Sequence, residues 1–519
     1  MANNKKQIVE FGDFQTPDDL AQNVVSLLVK LGIKPKSVIE PTCGKGSFLI
    51  AAIEKMKCAD YLLGADINEE YLEVLNNRIR TDILNKRARL LNANFFSTNW
   101  DDILKDLPEP ILILGNPPWV TNSALGALAS NNLPKKSNSR NENGLGALTG
   151  KSNFDISEWM LLKYIDWFKF RTGNIAVLCK FSVAKKVLAS IWQENIRVTS
   201  KIYKIDARLH FNVSVDACLL FVEFQDKKSE TIYSKQSALF KSLTDENPSS
   251  YIGYENNTLL SNSKTYQKWK ILRGIDDYYE WRSGIKHDCS KIMELEKIDN
   301  DHYLNGLGEN FSLEEQYVYP LLKSSDLANQ RTQKSRKHVI VTQKYVGGNT
   351  QLISKDAPST WSYLEAHKEY FSQRKSSIYK NKPLYSMFGI GDYSYSPWKI
   401  AISGLYKTLN FSLVGPIEGK PVMLDDTAYF LSCWSADEAY FLYEILNSEP
   451  AKEFLKSMIF WEDKRPITIE LLKRLNIYKL SEMLESKNKY SHLTQMRGIN
   501  LDLHRGQLNL ISDQQEILL

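Results

Sequence analysis

The sequence predicts an α/β fold for its first half and a mixed α+β unit for its second. Three observations carry this. Short apolar or β-branched runs alternate with longer helical patterns from residue 37 to about 224. That rhythm is lost beyond about residue 226, and 519 residues exceed what one hydrophobic core supports.

Taken in order, residues 37–40, 61–65, 88–91, 111–114, 174–178 and 217–222 read as strands. Helical patterns lie between them at 47–56, 69–80, 156–170 and 184–193. Such alternation predicts a mostly parallel sheet with helices on both faces, binding its ligands at the carboxyl ends of the strands. Residues 225–265 are rich in Lys, Ser, Asn and Glu, and 245–250 read as a turn. The expected division is therefore a domain over 1–225, a linker over 226–264 and a second domain over 265–519. The second domain is aromatic, with Tyr393-Ser394-Tyr395-Ser396-Pro397-Trp398, and carries a helical pattern at 436–446. Inside the first domain, residues 121–153 are heavy in Asn, Gly, Ser and Lys; loops of that length are functional or disordered.

Composition excludes several classes. With 66 Lys+Arg against 61 Asp+Glu the net charge is +5, and 43% of residues are hydrophobic, an ordinary globular profile. The charge is spread, with 28 basic and 25 acidic residues in 1–226 and 38 and 36 in the rest, so nucleic acid is not announced by bulk charge. No apolar run approaches the ~20 residues of a membrane span, and no signal peptide opens the chain. A cytoplasmic protein is expected. The six cysteines form no CxxC pair, which suits reduced thiols, and no metal site is expected.

The first strand runs into Glu40-Pro41-Thr42-Cys43-Gly44-Lys45-Gly46 and then an apolar helix. Two glycines at a strand-to-helix turn let the backbone approach a ligand in front of a helix N-terminus. Asp66 ends the next strand about twenty residues later, where a carboxylate takes ribose hydroxyls. Asn94 and Phe95 end the third strand, offering an amide and an aromatic face for adenine, or a polar strand end and a core ring. Gly150-Lys151-Ser152 resembles the end of a Walker A motif, but Leu145 stands where its first glycine belongs.

The fourth strand ends in Gly115-Asn116-Pro117-Pro118-Trp119. Two prolines fix the backbone and remove two N–H groups, leaving the Pro117 carbonyl to face a ligand. The Asn116 carbonyl, the Pro117 carbonyl and the Trp119 plate together suit an amino group on an aromatic ring such as adenine N6.

With these residues the chain resembles the gamma group of S-adenosylmethionine-dependent N6-adenine DNA methyltransferases of restriction–modification systems, over roughly residues 10–225. The resemblance implies a Rossmann-like methyltransferase sheet followed by a mixed α+β target-recognition domain. Phe14-Gln15-Thr16-Pro17 matches the segment against the cofactor's methionine part, and Glu40, Pro41, Cys43, Gly44 and Gly46 the first cofactor loop. Asp66 stands at the ribose position; Asn94-Phe95 replaces an Asp-Phe pair at the adenine. Asn116, Pro117, Pro118 and Trp119 form the catalytic motif, with Trp for the commoner Tyr. Phe211, in Leu209-His210-Phe211-Asn212-Val213, resembles the late-motif aromatic that sandwiches a flipped base with Trp119.

The second half resembles target-recognition domains through stretches containing Lys323, Lys407, Lys464 and Arg465. These are candidate DNA contacts, as are Lys135, Lys136, Arg140 and Lys151 in the 121–153 loop. Lys464-Arg465 reads equally as a solvated pair before a helix. The expected activity is site-specific methylation of adenine N6 in double-stranded DNA by base flipping, as a monomer, guarding host DNA against a separately encoded restriction endonuclease. RNA adenine and protein-glutamine methyltransferases carry similar NPP-aromatic motifs and stay open at this point, as does a non-catalytic DNA-binding protein. Glu294-Leu295-Glu296-Lys297 is an isolated match to a nuclease motif.

Overall fold

Strand β1 (Ser37–Glu40) is buried along its whole length, as its Val38-Ile39 centre demands of a strand covered on both faces. A computed structural model describes residues 15–80, 87–120, 155–224, 234–299 and 301–498. In it β1 pairs in parallel with β2 (Tyr61–Asp66) and β4 (Ile111–Gly115); β3 (Ala88–Asn92) and β5 (Gly173–Lys180) extend the parallel set. Strand β7 (Ala217–Phe224) runs antiparallel to β5 and to β6 (Val198–Ile205), giving the order β3-β2-β1-β4-β5-β7-β6. The chain leaves β3 and returns beside β1 to form β4. The order therefore reverses between β1 and β4, the crevice where doubly wound sheets bind ligands. This is the expected α/β fold.

Helices α1 (Asp18–Lys30) and α2 (Ser47–Lys55) pack against each other; α3 (Glu69–Arg80) follows β2, and α4 (Trp100–Leu104) follows β3. Helix α5 (Ile156–Trp167) starts at an Asp155 cap, whose carboxylate accepts from Ser157 N at 3.1 Å. The Ile156 amide donates to Val120 O at 2.9 Å, so the chain just past β4 is tied to the start of α5. Helix α6 (Phe181–Gln193) packs on α5, and the short α7 (Ala207–Phe211) joins β6 to β7.

Two elements depart from the sequence expectation. Strand β6 was not among the expected strands, because Thr199, Lys201 and Lys204 break its apolar run. The stretch expected as a linker instead carries β8 (Gln236–Phe240), β9 (Ser250–Glu255) and β10 (Thr258–Leu260), which extend the same sheet beyond β6. Its composition misleads because edge strands are half exposed and therefore polar. A local signal was present: Asn256 and Asn257 both take positive φ, 48° and 56°, as a two-residue hairpin turn requires.

The chain divides into two compact units after Lys264. The second contains two sheets. One has the order β14-β13-β12-β16-β15-β19, from β12 (Glu294–Lys297), β13 (His302–Leu304), β14 (Asn310–Ser312), β15 (Val318–Leu322), β16 (Lys337–Ile340) and β19 (Met423–Leu424). The other has the order β11-β20-β17-β18, from β11 (Arg282–Ser283), β17 (Trp398–Ser403), β18 (Ser412–Val414) and β20 (Ala428–Cys433). The helix Ala436–Leu446 falls where its periodicity predicts, with Ser435 Oγ accepting from Glu438 N at 3.2 Å. Among the described residues no helix is long and apolar enough to cross a membrane.

Candidate active site

The carboxyl ends of β1, β2, β3 and β4 surround an open cleft. Its floor is the loop after β1. Gly44 and Gly46 take φ values of 51° and 79°, and a Cβ on Gly46 would lie 2.2 Å from Leu75 Cδ1. The turn therefore needs glycine for both its conformation and its packing. Cys43 N donates to Ala65 O at 2.8 Å, stitching the loop to β2.

Asp66, at the end of β2, is oriented by two amides: Gly44 N donates to Oδ2 at 2.7 Å and Asn68 N to Oδ1 at 2.9 Å. Glu40 is buried, and Leu49 N donates to its Oε2 at 3.0 Å. Burial pushes the Glu40 carboxyl well above the usual carboxylate range; the Leu49 amide opposes this, and the Asp66 charge adds to it. Burial likewise holds the Cys43 thiol protonated.

The segment before α1 is fastened over this loop. Lys45 N donates to Gln15 Oε1 at 3.0 Å, and Ser47 Oγ to Thr16 O at 2.8 Å. Arg78 donates to Lys45 O at 3.0 Å and to Asp18 at 2.9 Å, joining α3, the loop and α1. Thr16, Glu40, Pro41, Cys43, Gly44 and Asp66 line the cleft; Pro17 caps α1 and Gly46 caps α2, behind the wall. Phe14 lies outside the described residues.

On the β3 side Phe95 lines the cleft, held in an aromatic cluster with Trp100 at 5.5 Å, Trp159 at 6.1 Å and Tyr164 at 5.7 Å. Asn94 does not line it. Its Oδ1 accepts from Phe96 N at 2.9 Å, closing an Asx turn that shapes the strand end. On the β4 side Asn116 and Pro118 line the cleft, and a Cβ on Gly115 would lie 3.4 Å from Glu40 Cγ, so the ends of β1 and β4 are in contact.

Trp119 departs from expectation. It is 5% exposed and belongs to the apolar core, with Nε1 donating to Leu178 O at 3.4 Å. Its ring meets that of Phe211 edge-on, at 5.1 Å and 67°. A base stacked between two rings needs about 7 Å, twice the van der Waals separation. The slot expected between Trp119 and Phe211 is therefore closed in this conformation, and neither ring, nor Pro117, lines the cleft. Asn68, Tyr71 and Met160 also line the cleft and are not among the residues singled out by the sequence. Asn68 had a legible signal, two positions beyond Asp66 at a helix start; Met160 had none, since only packing brings α5 to the cleft.

Of the candidate DNA contacts, Lys135, Lys136, Arg140 and Lys151, with the 121–153 loop, lie outside the described residues. Lys323 Nζ lies 2.5 Å from Glu294 Oε2, so its charge is already matched within its unit. Lys407, Lys464 and Arg465 are exposed.

The sequence profile of the N-6 DNA methylase family matches residues 1–316. The type II methyltransferase M.NspV of Nostoc sp. is 43% identical over 484 residues, covering 93% of this chain and 99% of that protein. The chain belongs to the N-6 DNA methylase family. This methylase is thus an enzyme that methylates adenine N6 in DNA with S-adenosylmethionine as donor, which closes the RNA, protein-glutamine and non-catalytic alternatives. Among solved structures, the type IIL restriction-modification enzyme MmeI in complex with DNA is similar at a TM-score of 0.45 and 13% identity, covering 94% of this chain and 77% of that one. The methyltransferase subunit of a type I restriction-modification system from Streptococcus thermophilus is similar at 0.30 and 15%, covering 51% and 54%. Membership of the methylase in its family rests on the profile and the Nostoc relative.

Proposed function

We propose that the cleft between β1 and β4 holds S-adenosylmethionine beside an extruded adenine, and that Asn116 and Pro117 perform the transfer. The observation that carries this is the shared wall: Asn116 and Pro118 border the same cleft as Glu40, Asp66 and Phe95. The cleft fits the donor chemically. Its carboxylates Asp66 and Glu40 suit ribose hydroxyls and a cationic ligand, its loop glycines permit close backbone approach, and Phe95 offers an apolar edge for a purine. When bound, the donor supplies an electrophilic methyl group on a sulfonium.

Adenine N6 is a poor nucleophile because its lone pair is delocalised into the ring. The Asn116 side-chain carbonyl and the Pro117 main-chain carbonyl accept its two N–H groups, which favours a pyramidal nitrogen with the lone pair aimed at the methyl. No covalent enzyme intermediate is needed. Trp119 and Phe211 take the extruded base only after their edge contact opens, so flipping is coupled to a local rearrangement of α7.

The unit from Thr265 onward is assigned the reading of the DNA sequence, because base edges are read by side chains presented across a duplex while the first unit handles one extruded base. The protein acts as a monomer on double-stranded DNA in the cytoplasm, and its methylation guards the site against a separately encoded endonuclease. The naming of the Nostoc relative as a type II methyltransferase supports this pairing. Mapping N6-methyladenine in DNA from cells making the protein tests the reading. Methylation confined to one sequence context is expected, and unmodified adenines would overturn it.

A further inference from the structure

The second unit contains two basic runs that look alike in sequence and differ in structure. Residues 331–337 hold Arg331, Lys334, Arg336 and Lys337; residues 372–384 hold Arg374, Lys375, Lys380 and Lys382 and no acidic residue. In the first run Arg331 and Arg336 lie 3.8 and 2.5 Å from Asp326, and Lys337 lies 2.7 Å from Glu296. That run binds β16 and its approach to the fold. In the second, Lys375, Lys380 and Lys382 are exposed and have no ion-pair partner among the described residues.

Arg374 anchors the second run. Its guanidinium donates to the carbonyls of His287 at 3.1 Å, Ser386 at 2.7 Å and Leu384 at 2.5 Å, and sits 3.7 Å over the Tyr379 ring. Tyr379 in turn donates to Lys286 O at 3.3 Å. The acid next to this anchor, Asp288, lies 3.1 Å from Lys286 Nζ. Three ammonium groups are thus presented on a segment whose backbone is tied down at Arg374 and Tyr379, so little backbone ordering opposes their use.

A second loop starts beside the base of the first. Thr342 Oγ1 donates to Tyr385 O at 2.6 Å and Gln343 Nε2 to Met387 O at 2.9 Å, and the chain then turns outward through Lys344, Tyr345 and Val346. Tyr345 is 63% exposed and Val346 44%; Gly348 N donates to Tyr345 O at 3.0 Å, closing the turn over Gly347 at φ 86°.

We propose that these two loops form a DNA-contacting face, with Lys375, Lys380 and Lys382 on backbone phosphates and Tyr345 against the sugars and bases between them. This rests on the assignment of DNA recognition to the second unit. The test uses the full chain with bound S-adenosylmethionine, on duplexes carrying the methylated sequence or a scrambled one. In K375A/K380A/K382A the slope of log affinity against log salt falls by about 2–3, at roughly 0.9 per phosphate contact. Between 50 and 200 mM salt the wild type therefore loses roughly 40-fold more affinity than the variant. Both duplexes weaken alike, and cofactor affinity and circular dichroism stay unchanged. Y345A keeps the slope but narrows the preference for the methylated sequence. A wild-type slope in the triple variant, or an unchanged preference in Y345A, overturns the proposal. A wild-type protein that methylates DNA without discriminating the two duplexes overturns the recognition role itself.

Discussion

The two walls of the cleft are prepared to different degrees. On the donor side Asp66 is already aimed by the amides of Gly44 and Asn68, and Glu40 by that of Leu49. On the base side Trp119 is buried against Phe211, and the space a base would occupy is filled by the two rings. The difference teaches which step carries a conformational cost. Under the proposed assignment a donor enters a preorganised site, whereas a base must open one, and aromatic edge contacts worth roughly 0.5–1.5 kcal/mol are exchanged for stacking on adenine.

The largest test of that contrast is Asn116→Ala. Loss of an acceptor that acts as the nitrogen pyramidalises is expected to cut single-turnover methylation by roughly 10²–10³-fold, the scale of removing one preorganised hydrogen-bonding group. Donor affinity measured by titration stays within about twofold. Near wild-type methylation would remove the base wall from the chemistry.

Next come the two rings, which separate by burial. Trp119→Ala leaves a core cavity and is expected to lower stability by about 3–5 kcal/mol, read by denaturant unfolding. Phe211→Ala, only half buried, is expected to weaken binding of the extruded base by roughly 1–3 kcal/mol with a smaller stability loss. A mispaired partner opposite the target adenine lowers the extrusion cost and partly rescues Phe211→Ala. Equal stability losses in the two variants would contradict the closed-slot geometry.

On the donor wall, Asp66→Ala is expected to weaken S-adenosylmethionine by roughly 1–3 kcal/mol, with the rate at saturating donor little changed. Unchanged donor affinity in the folded variant would move the ribose site elsewhere.

The smallest effect is a pH dependence set by Glu40. Its folded-state pKa lies above the unfolded value, so the stability it contributes is present below the ordinary carboxylate range and is lost as pH rises through the raised value. A cationic donor favours the ionised carboxylate. Donor affinity therefore rises with pH over that same window, with a proton released on binding. Calorimetry in buffers of different ionisation enthalpy reads the proton, and Glu40→Gln is expected to abolish both the release and the slope.

Much of the first unit was legible because its signals are local. Helix α3 and strand β1 begin and end where periodicity and apolar runs place them. The glycine turn and the paired prolines are constraints on single dihedrals, readable without neighbours. Strand β6 and the β8–β10 extension were not legible, since half-exposed strands carry the Lys, Ser and Asn that elsewhere mark loops.

By itself, then, the sequence determined the parallel part of the sheet from β3 to β5, the crevice at its switch point and the residues at the ends of β1, β2 and β4, because backbone restriction and hydrophobic periodicity act within a few residues; that β7 would run antiparallel to its neighbours was not legible. Tertiary structure alone decided the state of individual side chains. Asn94 serves its own turn, Trp119 lies in the core, and Lys323 is matched by Glu294 while Lys375, Lys380 and Lys382 face solvent. Burial and ion pairing depend on partners brought together from distant parts of the chain: Lys337 and Glu296 are 41 positions apart, and Trp119 and Leu178 are 59. Such pairings exist only once the chain has folded, and they settle which charged or aromatic residues are available to a ligand.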